Sequence, residues 1–141
     1  MSNTASHIEF RRLLWVGLLT VIAAIAGVLV VRIIAVAVLH PDPLPMSLSW
    51  ALPAIFTAVL VTAAVVVFAL VARFSRNAVR NYQIVAVVAL LVSFVPDLAY
   101  PGSGMPGASW PTATALMIMH VVAWAICVTL LTRLSAAGNK N

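Results

Sequence analysis

Charge is what this chain has least of. Only 8% of its residues are Asp, Glu, Lys or Arg, while 64% are hydrophobic. A soluble domain carries about 25% charged residues and uses them to cover its surface, so a water-soluble fold is excluded. Acids are scarcest, with Glu9, Asp42 and Asp97 alone in 141 residues. A single cysteine, Cys127, excludes an intrachain disulfide and any CxxC centre. A four-helix thiol oxidoreductase linked to quinones needs paired cysteines and falls away with them. HExxH, a Cys/His cluster, a Walker loop and GxSxG are all missing, so neither metal nor cofactor is expected. The net charge of +5 comes from basic residues in short segments, without basic–aromatic interleaving, so nucleic acid is not an expected partner.

Long apolar runs are present instead. Runs of more than about 18 residues mark transmembrane helices. The reading is an all-α integral membrane four-helix bundle over 13–134, with spans at about 13–39, 50–72, 82–98 and 112–132. A cytoplasmic segment 1–12 precedes it and a cytoplasmic tail 135–141 follows. HPDPLPMSLS and YPGSGMPGASWP are turn-rich breakers between spans. The first run outlasts the roughly 7–15 apolar residues of a signal peptide, so it reads as a retained span with Arg11-Arg12 as a topology signal. Cys127 reads as inert packing.

The basic residues also set an orientation. Arg11 and Arg12 precede span one; Arg73, Arg76 and Arg80 separate spans two and three; Arg133 and Lys140 follow span four. The other two loops contain no Lys or Arg. The positive-inside rule then puts both termini in the cytoplasm, N-in and C-in. Trp15 and Tyr82 would mark the inner interface, and Trp50, Tyr100 and Trp110 the outer one. This one-sided bias, and the position of Glu9 ahead of span one, argue against a dual-topology multidrug exporter with an embedded glutamate. MSLSWALP and MPGASWPT both place Ser-Trp and a nearby Pro at a helix start. They read either as a faint duplication of a two-span hairpin or as the ordinary preference of caps for Ser and of interfaces for Trp.

Intramembrane polar residues are functional candidates by default. Counting about 1.5 Å per residue through a core about 30 Å thick puts Arg32 about 5 Å, Asp97 roughly 7 Å and His120 about 15 Å below the outer boundary. Arg32 and Asp97 therefore share a layer with opposite charge. The expectation is an ion pair between them, with snorkelling of Arg32 to the headgroups as the rival. Ser93 and Thr57 lie near the level of His120 and would complete a polar core in the outer half. Trp124 is too deep for an interface belt and either packs or lines a site. Pro96 frees a carbonyl near Val92.

The motifs RRLLWVG, FALVARFSR, LLVSFVPDL and ALMIMHVVAWAICVTLLTRL together resemble a family of small four-span bacterial membrane proteins known only as a domain of unknown function. The likeness runs from Arg11 to Leu134, and Pro96-Asp97 and Met119-His120 are its most specific pieces. It implies a multi-pass protein of the bacterial plasma membrane and transfers no activity. The leading functional reading is a non-enzymatic accessory subunit or small-molecule-binding bundle with an Arg32–Asp97 polar site. The runner-up is a small-solute or proton-coupled carrier or channel. The third is a lipid-modifying or isomerising enzyme using Asp97 and His120. The lipid bilayer is the expected partner, together with another membrane protein or a second copy of the chain.

Overall fold

The computed structural model describes residues 3–75 and 77–136, with side chains from 11 to 75 and from 77 to 133. Arg76, Lys140, the side chain of Glu9 and the end of the tail lie outside the described residues. Four helices make up the described chain, with no strand among these residues: α1 (Asn3–Leu39), α2 (Ala51–Phe74), α3 (Ala78–Ala99) and α4 (Trp110–Ala136). Each is long and apolar enough to cross a membrane. The helices overrun the sequence-derived spans, most of all at the start of α1, because a helix does not have to stop where hydrocarbon ends. None has one apolar and one polar face, as a helix on a water-soluble core would. Leu14, Ile22, Ile34, Ile55, Val88 and Leu98 all point outward.

The helices run up, down, up and down. Val16 of α1, Phe68 of α2, Tyr82 of α3 and Leu131 of α4 meet in one cluster, and Phe68 and Tyr82 stack edge to face at 4.9 Å. This is the basic end, where Arg73, Arg80 and Arg133 also lie. Ala24, Val61 and Cys127 form a middle layer. Val28, Leu48 and Met119 form a third layer at the loop end. Around this ring α1 packs on α2 and α4, and α3 packs on the same two helices. α1 and α3 therefore occupy opposite corners.

Apolar side chains gain little from leaving lipid for one another, so close packing holds such a bundle. Gly27 shows how close: a Cβ there would lie 2.7 Å from Ile126 Cδ1 and 3.1 Å from Val122 Cγ1 of α4. Gly17 plays the same part against Val65 of α2. Gly27→Ala should be nearly neutral, because Cδ1 is the flexible end of a side chain and Ala gains about 1 kcal/mol of helix propensity over Gly. Gly27→Leu should cost about 1–3 kcal/mol by overpacking, read as a lower unfolding temperature in detergent. Equal stability of the Leu and Ala variants would contradict this packing. Buried Thr20 satisfies its own hydroxyl by donating to the Val16 carbonyl at 2.7 Å.

At the loop end the two connections lock together. A 3₁₀ turn at Met46–Leu48 buries Leu48 completely beneath the loop. Gly107 sits at φ +75°, and a Cβ there would lie 2.8 Å from Pro45 Cγ and 3.1 Å from the Pro43 carbonyl. Ser47 Oγ donates to Tyr100 Oη at 3.0 Å. Thr112 Oγ1 donates to the Gly107 carbonyl at 3.2 Å. Both Ser-Trp elements act as caps. Ser49 Oγ accepts from Leu52 N–H at 3.3 Å, and Ser109 Oγ accepts from Thr112 N–H at 3.4 Å.

Candidate functional site

The expected Arg32–Asp97 ion pair is not formed. Arg32 Nε donates to the Leu48 carbonyl at 2.9 Å, and its guanidinium lies 3.8 Å over the Trp50 ring. Asp97 accepts from His120 Nδ1 through Oδ2 at 2.7 Å. Two features override the shared depth. The first is the ring order, which sets α1 and α3 at opposite corners with α4 beside both. The second is the lean of side chains toward the N-terminus of their own helix. α3 and α4 are antiparallel, so the Asp97 carboxyl leans toward the basic end and the His120 ring leans toward the loop end. They start at different levels and meet between them. Depths counted along Cα atoms miss that convergence.

Tyr82 adds a second correction. It was expected at the inner interface, but it is 2% exposed and belongs to the basic-end core. Trp15, Trp50 and Trp110 are all well exposed. Tyr100 is half-buried and spends its hydroxyl on Ser47.

Two polar clusters therefore replace the single one expected. The first joins Arg32, Leu48 and Trp50 at the loop end. The second is the inter-helix pair of Asp97 and His120. Asp97 is buried and His120 is partly open, with 30% of its side chain accessible. Only Nδ1 of the imidazole is engaged, so Nε2 has no partner among the described residues. An imidazole held by a carboxylate at Nδ1 is fixed in orientation and presents Nε2 for a proton or a hydrogen bond.

The remaining predicted residues do not join this pair. Ser93 Oγ donates to the Leu90 carbonyl of its own helix at 2.7 Å. Thr57 is buried in α2 and takes no part in the hydrogen bonds of either cluster. Trp124 lies one turn beyond His120 on α4. Its Nε1 is buried without an acceptor among the described residues. Pro96 is accommodated inside α3, which continues to Ala99. Leu48 contributes a backbone carbonyl, which carries no residue-type signal in the sequence.

Two open clefts lie elsewhere. One, of about 270 Å³, is lined by Leu39, Asp42, Pro43, Gly107, Ser109 and Thr112 among others at the loop end. The other, of about 390 Å³, is a groove along α1 and α4 lined by Ala23, Ala125, Ile126, Thr129 and Leu130. Neither is lined by Asp97 or His120. No group of three or more metal-binding side chains occurs among the described residues.

Four long apolar helices with polar groups turned inward define a multi-pass helical membrane protein. Residues 5–137 match DUF6069, a family of unknown function, and the chain belongs to that family. No curated protein and no solved structure matches it.

Proposed function

We propose that the protein is a non-enzymatic accessory subunit of the bacterial plasma membrane, with both termini cytoplasmic. The observation that carries this reading is how the polar interior is used. Asp97 holds His120 across α3 and α4, and Arg32 holds Leu48 and Trp50, so the charged side chains in the spans tie segments of the chain together. Such ties hold helices in register at a cost that a purely apolar bundle avoids. Meanwhile α3 keeps only Tyr82 and Asp97 buried and turns Val88, Leu91, Val95 and Leu98 outward. That face suits a partner helix or lipid equally in its chemistry, and an accessory role requires the former.

Photo-crosslinking residues introduced in cells at Val88 and Val95 of α3, and at Ile22 of α1 as a control, test the proposal. Discrete protein adducts from α3 alone are expected. Adducts with lipid only, from all three positions, would remove the accessory reading. Ser103→Cys should be labelled by a membrane-impermeant maleimide added from outside the cell, and protection from that reagent would reverse the threading. A second reading, a proton-coupled or small-solute carrier, is favoured by one specific feature: the unpartnered His120 Nε2 on a partly accessible ring.

A further inference from the structure

Arg32 is a buried charge without a counter-ion. It is 7% exposed, yet no carboxylate lies within salt-bridge distance of it among the described residues. Asp97 is occupied by His120, and Asp42 lines the loop-end cleft with Leu39, Pro43 and Gly107. The two loops at this end supply no other Lys or Arg. Only Nε of the guanidinium is bonded, and the terminal nitrogens are not among the buried unpartnered atoms, so they touch the outside of the bundle.

We propose that Arg32, held by Leu48 and Trp50, binds the phosphodiester of a membrane phospholipid. The Leu48 carbonyl fixes one side of the guanidinium and the Trp50 ring fixes its plane. The remaining edge offers parallel N–H donors, the geometry that grips an oxyanion with two hydrogen bonds. α2 begins at Ala51 beside this group, and its positive dipole end adds to the field there. A phospholipid fits better than a free phosphate because the neighbouring surface is apolar. Trp50 is 56% exposed and Met46 77%, and Ile33 and Ile34 also face outward. Acyl chains would lie along these side chains while the headgroup meets the guanidinium. An anion here offsets the cost of a buried, unneutralised charge.

The test uses full-length protein, stripped of lipid in detergent and followed by thermal unfolding. Short-chain phosphatidylglycerol should raise the unfolding temperature, with an apparent affinity about tenfold weaker in Arg32→Gln, the loss expected for a charge-assisted contact. Diacylglycerol, which lacks the phosphate, should act equally on both proteins. Equal phosphatidylglycerol affinity in wild type and Arg32→Gln would overturn the site. Stabilisation by inorganic phosphate as strong as by the lipid would overturn the lipid as its source. Should Arg32→Gln not fold, Trp50→Leu keeps the charge and frees its plane. That variant should bind about threefold more weakly, the size of an exposed cation–π contact, and unchanged binding would equally sink the proposal.

Discussion

Asp97→Ala should destabilise the bundle by about 2–3 kcal/mol, because it removes a hydrogen bond and strands its partner. The comparison that gives this number meaning is a double-mutant cycle with His120→Ala. Inter-helix hydrogen bonds in membrane proteins average about 0.6 kcal/mol and reach about 1.7. The Asp97–His120 contact is short, at 2.7 Å, and its carboxylate is buried, so a coupling energy above about 1 kcal/mol is expected, at the upper part of that range. Unfolding in mixed detergent micelles measures it, and additive single variants would mean that the pair contributes nothing. Asp97→Asn refines the result. Its amide oxygen still accepts from Nδ1–H, so it should recover much of the loss if the native bond is neutral and little if it is charge-assisted. A parallel cycle between Arg32 and Asp97 should be additive within about 0.5 kcal/mol, since the two share no partner. Strong coupling there would restore the ion pair that the sequence alone leads one to expect.

Gly107→Ala should be the most damaging single-methyl change in the loops. Two costs coincide. A non-glycine residue held at positive φ pays roughly 1–2 kcal/mol. The added methyl also meets the Pro45 ring at 2.8 and 3.0 Å and the Pro43 carbonyl at 3.1 Å. A proline ring and a backbone oxygen cannot swing aside as a side-chain tip can, so overpacking adds about 1–3 kcal/mol. Gly104 is the internal control. Its φ of +70° carries the same conformational cost, but nothing lies within 4 Å of its would-be Cβ. Gly104→Ala should therefore lose only the first part. Indistinguishable unfolding temperatures for the two variants would show that the loops are not locked at this point. Undocking should also weaken the Thr112 hydrogen bond to the Gly107 carbonyl, which hydrogen exchange at the start of α4 would register.

The four helices were legible because their signal is compositional. An apolar run longer than a bilayer is thick has few other uses. Helix ends were less legible, since α1 begins ten residues before its apolar run does. Arg32, Asp97 and His120 stood out from the sequence as charged or ionisable groups in hydrocarbon, and all three do make specific contacts. Their partners could not be read off. Choosing His120 over Arg32 for Asp97 requires knowing which helices are neighbours, and no residue in α1 or α3 announces that they sit at opposite corners. The lean of side chains along antiparallel helices was available in principle and would have narrowed the gap between the counted depths of Asp97 and His120. Leu48 was beyond reach, because a loop carbonyl looks the same in every sequence. Gly107 was readable as a turn glycine, but the prolines it touches lie in the other loop.

α3 is fastened most deeply at two points, Tyr82 near one end and Asp97 near the other, and only partly buried residues such as Ala86, Leu90 and Ser93 face inward between them. The fastenings are about 22 Å apart along the helix axis, at 1.5 Å per residue. A rod pinned only near its tips bends most at mid-length. The inward side of α3 should therefore loosen first around Leu90, midway between Tyr82 and Asp97, while both pins still hold.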